Sequence, residues 1–119
     1  MTELAHFINN ARVAGTSGRS QPIFNPATGE TDKTVALAST REVDTVIASA
    51  KAAWPAWSKT PPLRRARILD RFKAILWDRA DQLAEAISLE HGKTHDDAVG
   101  EVTRGLEVVE FAVGAPHLL

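Results

Sequence analysis

The chain has no cysteine and no tyrosine, and only one methionine among its 119 residues. Without cysteine there is no disulfide, no thiolate metal site and no thiol nucleophile. A reducing compartment is compatible with that. Charge of one sign is also missing, since the formal net charge is -1. No global field therefore draws the chain to nucleic acid or to an acidic membrane surface. No apolar run approaches the roughly 18 residues of a membrane span. The start, MTELAHFINN, lacks the basic and apolar regions of a secretion signal. These absences lead us to expect a cytoplasmic protein with no nucleic-acid or membrane partner.

What is present is organised around one stretch, Thr94 to Val113, which reads as a long amphipathic helix. Thr94 stands at the N-cap with Asp97 three residues on, a variant of the capping box. Asp96 and Asp97 put negative charge where the helix dipole favours it. Val99, Val102, Leu106, Val109 and Val113 form an apolar stripe, and Gly114 and Pro116 supply the stop. Gly100 and Gly105 lie inside the helix, where each costs up to about 1 kcal/mol relative to alanine. Such glycines mark the close approach of another backbone or a ligand. Between them stand Glu101 and Arg104, an i,i+3 pair. Two readings are open: a packing notch beside a solvated ion pair, or a helix that offers a guanidinium to a binding channel.

In chain order, His6 to Val13 reads as a short strand running into a turn at Asn9 and Asn10. Gln21 to Phe24 reads as its returning strand, so a hairpin is predicted. Asn25-Pro26 opens a turn with Gly29 as the permissive position, and Thr34 to Leu37 is a further strand. Ser39 to Trp57 is a helix opened by the Ser39/Glu42 capping box. Its apolar face is Val43, Val46, Ile47, Ala50 and Trp54, and Pro55 is expected to end or bend it. Thr60-Pro61 opens the next helix with proline at the first position, its buried face made of Ile68, Leu69, Phe72, Ile75 and Leu76. A break is expected at Asp78 to Ala80. Leu83, Ala84 and Ile87 continue on a further helix that Gly92 caps. The covered chain is thus mostly α with an N-terminal β-hairpin: hairpin 6–37, helical part 39–114. Strand and helix do not alternate, so a complete parallel sheet is absent. The apolar end, PHLL, suggests a chain cut from something longer.

Few residues qualify as chemistry. His91 and His95 have metal-pair spacing, but Gly92 and the Thr94 cap fall between them and no third ligand is evident. Arg64, Arg65, Arg67, Arg71 and Lys73 form a basic run that reads as a solvated helix face, since Asp70 and Asp78 interrupt it and no aromatics interleave. Gly15 and Gly18 match neither a P-loop nor a dinucleotide fingerprint. No nucleophile-base set stands out, so no catalytic residue is assigned.

Several stretches resemble a known family. FINN, FNPATGE (Phe24 to Glu30), the helix end at Ala52 to Ser58, PLRRARIL (Pro62 to Leu69) and LEHGKTHDDA (Leu89 to Ala98) follow one another as in the N-terminal part of aldehyde dehydrogenases. GEVTRGLEVVEFAVGAPHLL, from Gly100 onward, resembles the CoA-acylating methylmalonate-semialdehyde branch. The resemblance implies an α/β parent with a Rossmann-type coenzyme domain, of which residues 1–119 are an incomplete first segment. It implies NAD and coenzyme A as cofactors of the parent, with neither expected to bind this chain alone. The catalytic cysteine would lie elsewhere. The partners would be the rest of the parent chain and further copies in a homo-oligomer. Arg104, with Glu101 and Gly105, would border the substrate entrance. The Phe24 carbonyl and Glu90 would be candidate ligands of a monovalent cation. The other reading is a purely non-catalytic folding and assembly module.

Overall fold

The computed structural model describes residues 2–119. The chain divides into two compact units, one running up to Lys59 and one spanning Thr60–Leu119.

The described residues of the first unit form five strands and a helix. β2 (His6–Ile8) and β3 (Ala11–Val13) pair antiparallel. Their link is Asn9-Asn10, with φ of 52° and 62°, so both central residues are left-handed as a type I′ turn requires. The predicted pairing of this segment with Gln21–Phe24 is therefore wrong. The two asparagines fold the segment back onto itself, giving a separate two-stranded sheet.

β4 (Ser20–Phe24) instead pairs antiparallel with β5 (Thr31–Ala36), with an irregularity between Ile23 and Phe24. Their connection is closed from within. Asn25 Oδ1 accepts from Ala27 N at 2.8 Å, the Asn25 carbonyl accepts from Gly29 N at 2.8 Å, and Gly29 takes a φ of 74°. The NPATGE motif is thus a self-bonded loop. β4 is an edge strand in the order β1-β5-β4, a place where Pro22 and its missing N–H are tolerated. β1 (Thr2–Leu4), which sequence reading missed, lies parallel on the other side of β5.

α1 (Thr40–Lys59) starts at the predicted capping box. Glu42 N donates to Ser39 Oγ at 3.3 Å and Ser39 N donates back to Glu42 Oε2 at 2.7 Å. Pro55 does not end the helix, which runs through it to Lys59. A proline removes one i→i−4 donor, and only one turn follows it.

The second unit is helical. α2 (Pro62–Asp78) has Pro61 as its N-cap and Pro62 in the first turn, one residue later than expected. Arg79, at φ −112° and ψ 14°, makes the break before α3 (Ala80–His91). Gly92, at φ 83°, caps α3 in the left-handed region. α4 (His95–Gly114) is the organising helix, and Thr94 Oγ1 accepts from Asp97 N as the sequence predicts. Gly114 is not a left-handed stop. It keeps right-handed geometry and passes into a 3₁₀ turn, Ala115–Leu118, that holds Pro116. Both α2 and α3 pack on α4.

The core is thin. The buried hydrophobics are Ala36, Ala66, Ala84, Ala98 and Leu106. Ile68, Phe72 and Ile75, expected inside, are each over two-fifths exposed. The chain exposes 9202 Å², whereas two separate globules of half its mass would together expose about 7600 Å². Its apolar helix faces are made but largely uncovered. Among the described residues no helix is long and apolar enough to cross a membrane.

Candidate functional site

The α3–α4 junction sets one lysine between two carboxylates. Gly92 turns the chain left-handed, Thr94 caps α4, and Lys93 is held between them. Its side chain is only 12% exposed. The ammonium lies 2.8 Å from Asp97 Oδ2 and 2.5 Å from Glu101 Oε1. These hydrogen bonds raise the Lys93 pKa above the ordinary lysine value, Asp97 contributing most. They lower Asp97 and Glu101, Lys93 being the leading cause for each.

The Glu101–Arg104 pair expected from spacing is therefore not formed. Glu101 is taken by Lys93, and among the described residues Arg104 has no hydrogen bond or ion pair within 4 Å. Arg104 is exposed on α4 and acts on Asp97 and Glu101 only as a secondary, longer-range charge. The glycine beside its guanidinium is Gly100, where an added Cβ would stand 3.7 Å from Nη1. An added Cβ at Gly105 would meet nothing within 4 Å. Gly105 instead lines an apolar groove of about 430 Å³ with Phe72, Leu76, Leu83, Val102 and Val109. The close approach inferred from Gly105 is thus not made by the chain itself.

The proposed cation ligands lie on different units. Phe24 ends β4 in the first, and Glu90 is exposed near the end of α3 in the second. His95, weighed as a metal-pair member, stands 3.1 Å from Asp81. In the basic run Arg64, Arg67 and Arg71 are exposed. Lys73 instead bridges Asp70 at 3.4 Å and Glu110 of α4 at 3.5 Å, and Arg65 Nε is enclosed without a hydrogen-bond partner.

Lys93 is the residue that sequence reading passed over. Its signal was available: a lysine between a capping glycine and an N-cap, with carboxylates four and eight residues on.

In the first unit the corresponding hub is Glu42. Besides Ser39, it accepts from Thr16 N at 2.7 Å and has His6 Nε2 at 3.9 Å. The donors lower its pKa to about 2, the Ser39 backbone N–H first. A carboxylate thus already occupies the N-terminus of α1, the position where a nucleotide-binding turn would seat its phosphate. The described residues do not fit a pyrophosphate there.

Comparison with known proteins places this geometry. The aldehyde dehydrogenase family model matches residues 13–119. Malonate-semialdehyde dehydrogenase 3 of Geobacillus kaustophilus is 48% identical over all of this chain and 25% of its own length. The malonate-semialdehyde dehydrogenase of Pseudomonas aeruginosa is 47% identical over all of this chain and 24% of its own. Among solved structures, the methylmalonate-semialdehyde dehydrogenase of Oceanimonas doudoroffii superposes with a TM-score of 0.96 at 50% identity, over all of this chain and 24% of its own. A Sinorhizobium meliloti protein assigned as a methylmalonate-semialdehyde dehydrogenase, solved with NAD, gives 0.95 at 58% identity, over 99% of this chain and 24% of its own. The chain therefore spans about a quarter of the length of the relatives it matches, and it belongs to the aldehyde dehydrogenase family.

Proposed function

We propose that these residues form the N-terminal quarter of an NAD-dependent, CoA-acylating dehydrogenase of malonate or methylmalonate semialdehyde, working as a cytoplasmic homo-oligomer. Acyl transfer through a thioester needs a thiolate, and the chain has no cysteine. The nucleophile and the dinucleotide sheet belong to the other three quarters. The observation that carries the reading is the pair of malonate-semialdehyde dehydrogenases matched along the entire chain.

Within that enzyme Arg104 receives the substrate carboxylate. A guanidinium presents two parallel donors to a carboxylate, and this one has no carboxylate of its own within 4 Å among the described residues. Arg104→Leu in the full-length enzyme should raise KM for malonate semialdehyde by about tenfold to a hundredfold, the worth of a hydrogen bond to a charged group. KM for an uncharged aldehyde should not follow. Equal losses for both would make Arg104 structural.

The uncovered apolar faces support a second reading for the isolated chain, that of a folding and assembly module. Assay of the purified 119-residue chain with aldehyde, NAD and CoA tests both, since each predicts no NADH formation. NADH formation from this chain alone would overturn both the module reading and the placement of the nucleophile outside it.

A further inference from the structure

We infer that Lys93 is a positioning residue: it draws Glu101 to its own ammonium and so keeps that carboxylate off Arg104, leaving the guanidinium open to an acidic substrate. This deepens the reading of Arg104 given above and rests on it.

Lys93, Asp97, Glu101 and Arg104 fall at steps of four, four and three, so they share one stripe of α4 and its cap. Neighbours three or four apart on a helix surface reach one another. Glu101 therefore has two cationic neighbours within reach. It takes Lys93, at 2.5 Å, and forms no ion pair with Arg104. The choice is set by the backbone. Gly92 at φ 83° and the Thr94 cap fix the link that carries Lys93 over the first turns of α4. The Lys93 ammonium is a point charge with three donors, enough for both Asp97 and Glu101. Arg104 meanwhile runs back beside Gly100, where an added Cβ would stand in ordinary van der Waals contact with its Nη1, at 3.7 Å. Removing the Lys93 charge frees Glu101 to take the other cation.

The test uses the full-length enzyme with malonate semialdehyde and with propanal. In Lys93→Met, KM for the acidic substrate should rise about threefold to fivefold, the scale of an exposed competing ion pair, while KM for propanal and both kcat values hold. Adding Glu101→Gln to that variant should restore KM, because the competitor is then uncharged. A purely structural role for Lys93 predicts equal changes for both substrates and no rescue, and either result would overturn the inference. Should Lys93→Met fail to fold, Glu101→Gln alone still decides. Unchanged or lower KM for the acidic substrate supports the inference, and a selective rise overturns it. Arg104→Leu in the same assay separates the two claims. Selective loss there without a Lys93 effect defeats only the present inference, whereas no selective loss defeats the carboxylate reading and this inference together.

Discussion

Ser39 donates both its backbone N–H and its hydroxyl to Oε2 of Glu42, each at 2.7 Å. Thr16 N adds a third donor, on Oε1. The carboxylate is thereby lowered from 4.5 to about 2. A depressed folded-state pKa adds stability above the unfolded value, and that stability is lost as pH falls through the folded one. Acid should therefore loosen the first unit progressively between about pH 4.5 and pH 2. Glu42→Gln should flatten this part of the profile, as read by urea unfolding under far-UV circular dichroism across that window. An unchanged slope would show that Glu42 does not carry it.

Gly15 stands where a side chain has no room. A Cβ there would lie 2.7 Å from Ala36 Cβ and 3.4 Å from His6 Nε2. Ala36 is part of the buried core, so the contact is not relieved by a flexible tip. Gly15→Ala should destabilise by about 1–3 kcal/mol, the range for overpacking. A shift of the denaturation midpoint with unchanged m-value is the expected signature.

Gly105 gives the opposite expectation. It is helical, and an added Cβ meets nothing within 4 Å. Gly105→Ala should raise the stability of the 119-residue chain by up to about 1 kcal/mol through helix propensity. In the full-length enzyme the same change should lose that gain, if the groove Gly105 lines receives another segment. Thermal midpoints of both proteins decide the matter.

The uncovered helix faces make a measurable surface. Val108 and Phe111 on α4 are 70% and 71% exposed, and they lie one turn apart. Together with the α2 face around Phe72, they should give the 119-residue chain strong anilinonaphthalene sulfonate fluorescence at neutral pH. The full-length enzyme should show little. Weak fluorescence from the short chain would mean that these faces find cover within it.

The features legible in the sequence were those settled within about four residues. The Ser39/Glu42 box, the Asn25 to Gly29 turn, the Gly92 cap and the Thr94 cap each depend on near neighbours, and each stands where the residues placed it. What was not legible depends on longer range. Asn9 and Asn10 are the exception, since a two-residue link of asparagines that tolerate φ > 0 is itself a local signal for the type I′ hairpin between β2 and β3. β1 has no pattern of its own and exists through β5, about thirty residues on. At the candidate site the spacing put Glu101 within reach of Arg104, yet no ion pair forms between them. The spacing did not reveal that Lys93, eight residues upstream of Glu101, would be delivered to the same carboxylate by the turn at Gly92. The expected core face of α2 was identified, but its covering is not supplied by these residues.

The parallel ladder between β1 and β5 sets an order of events during folding. The β2–β3 hairpin closes across two residues and the β4–β5 hairpin across six, loops that close within about a microsecond or faster. β1 docks only after β5 exists, and it must close a span of roughly thirty residues, at a larger entropic cost. Residues 2–4, although made before β5, should thus be among the last to join their sheet.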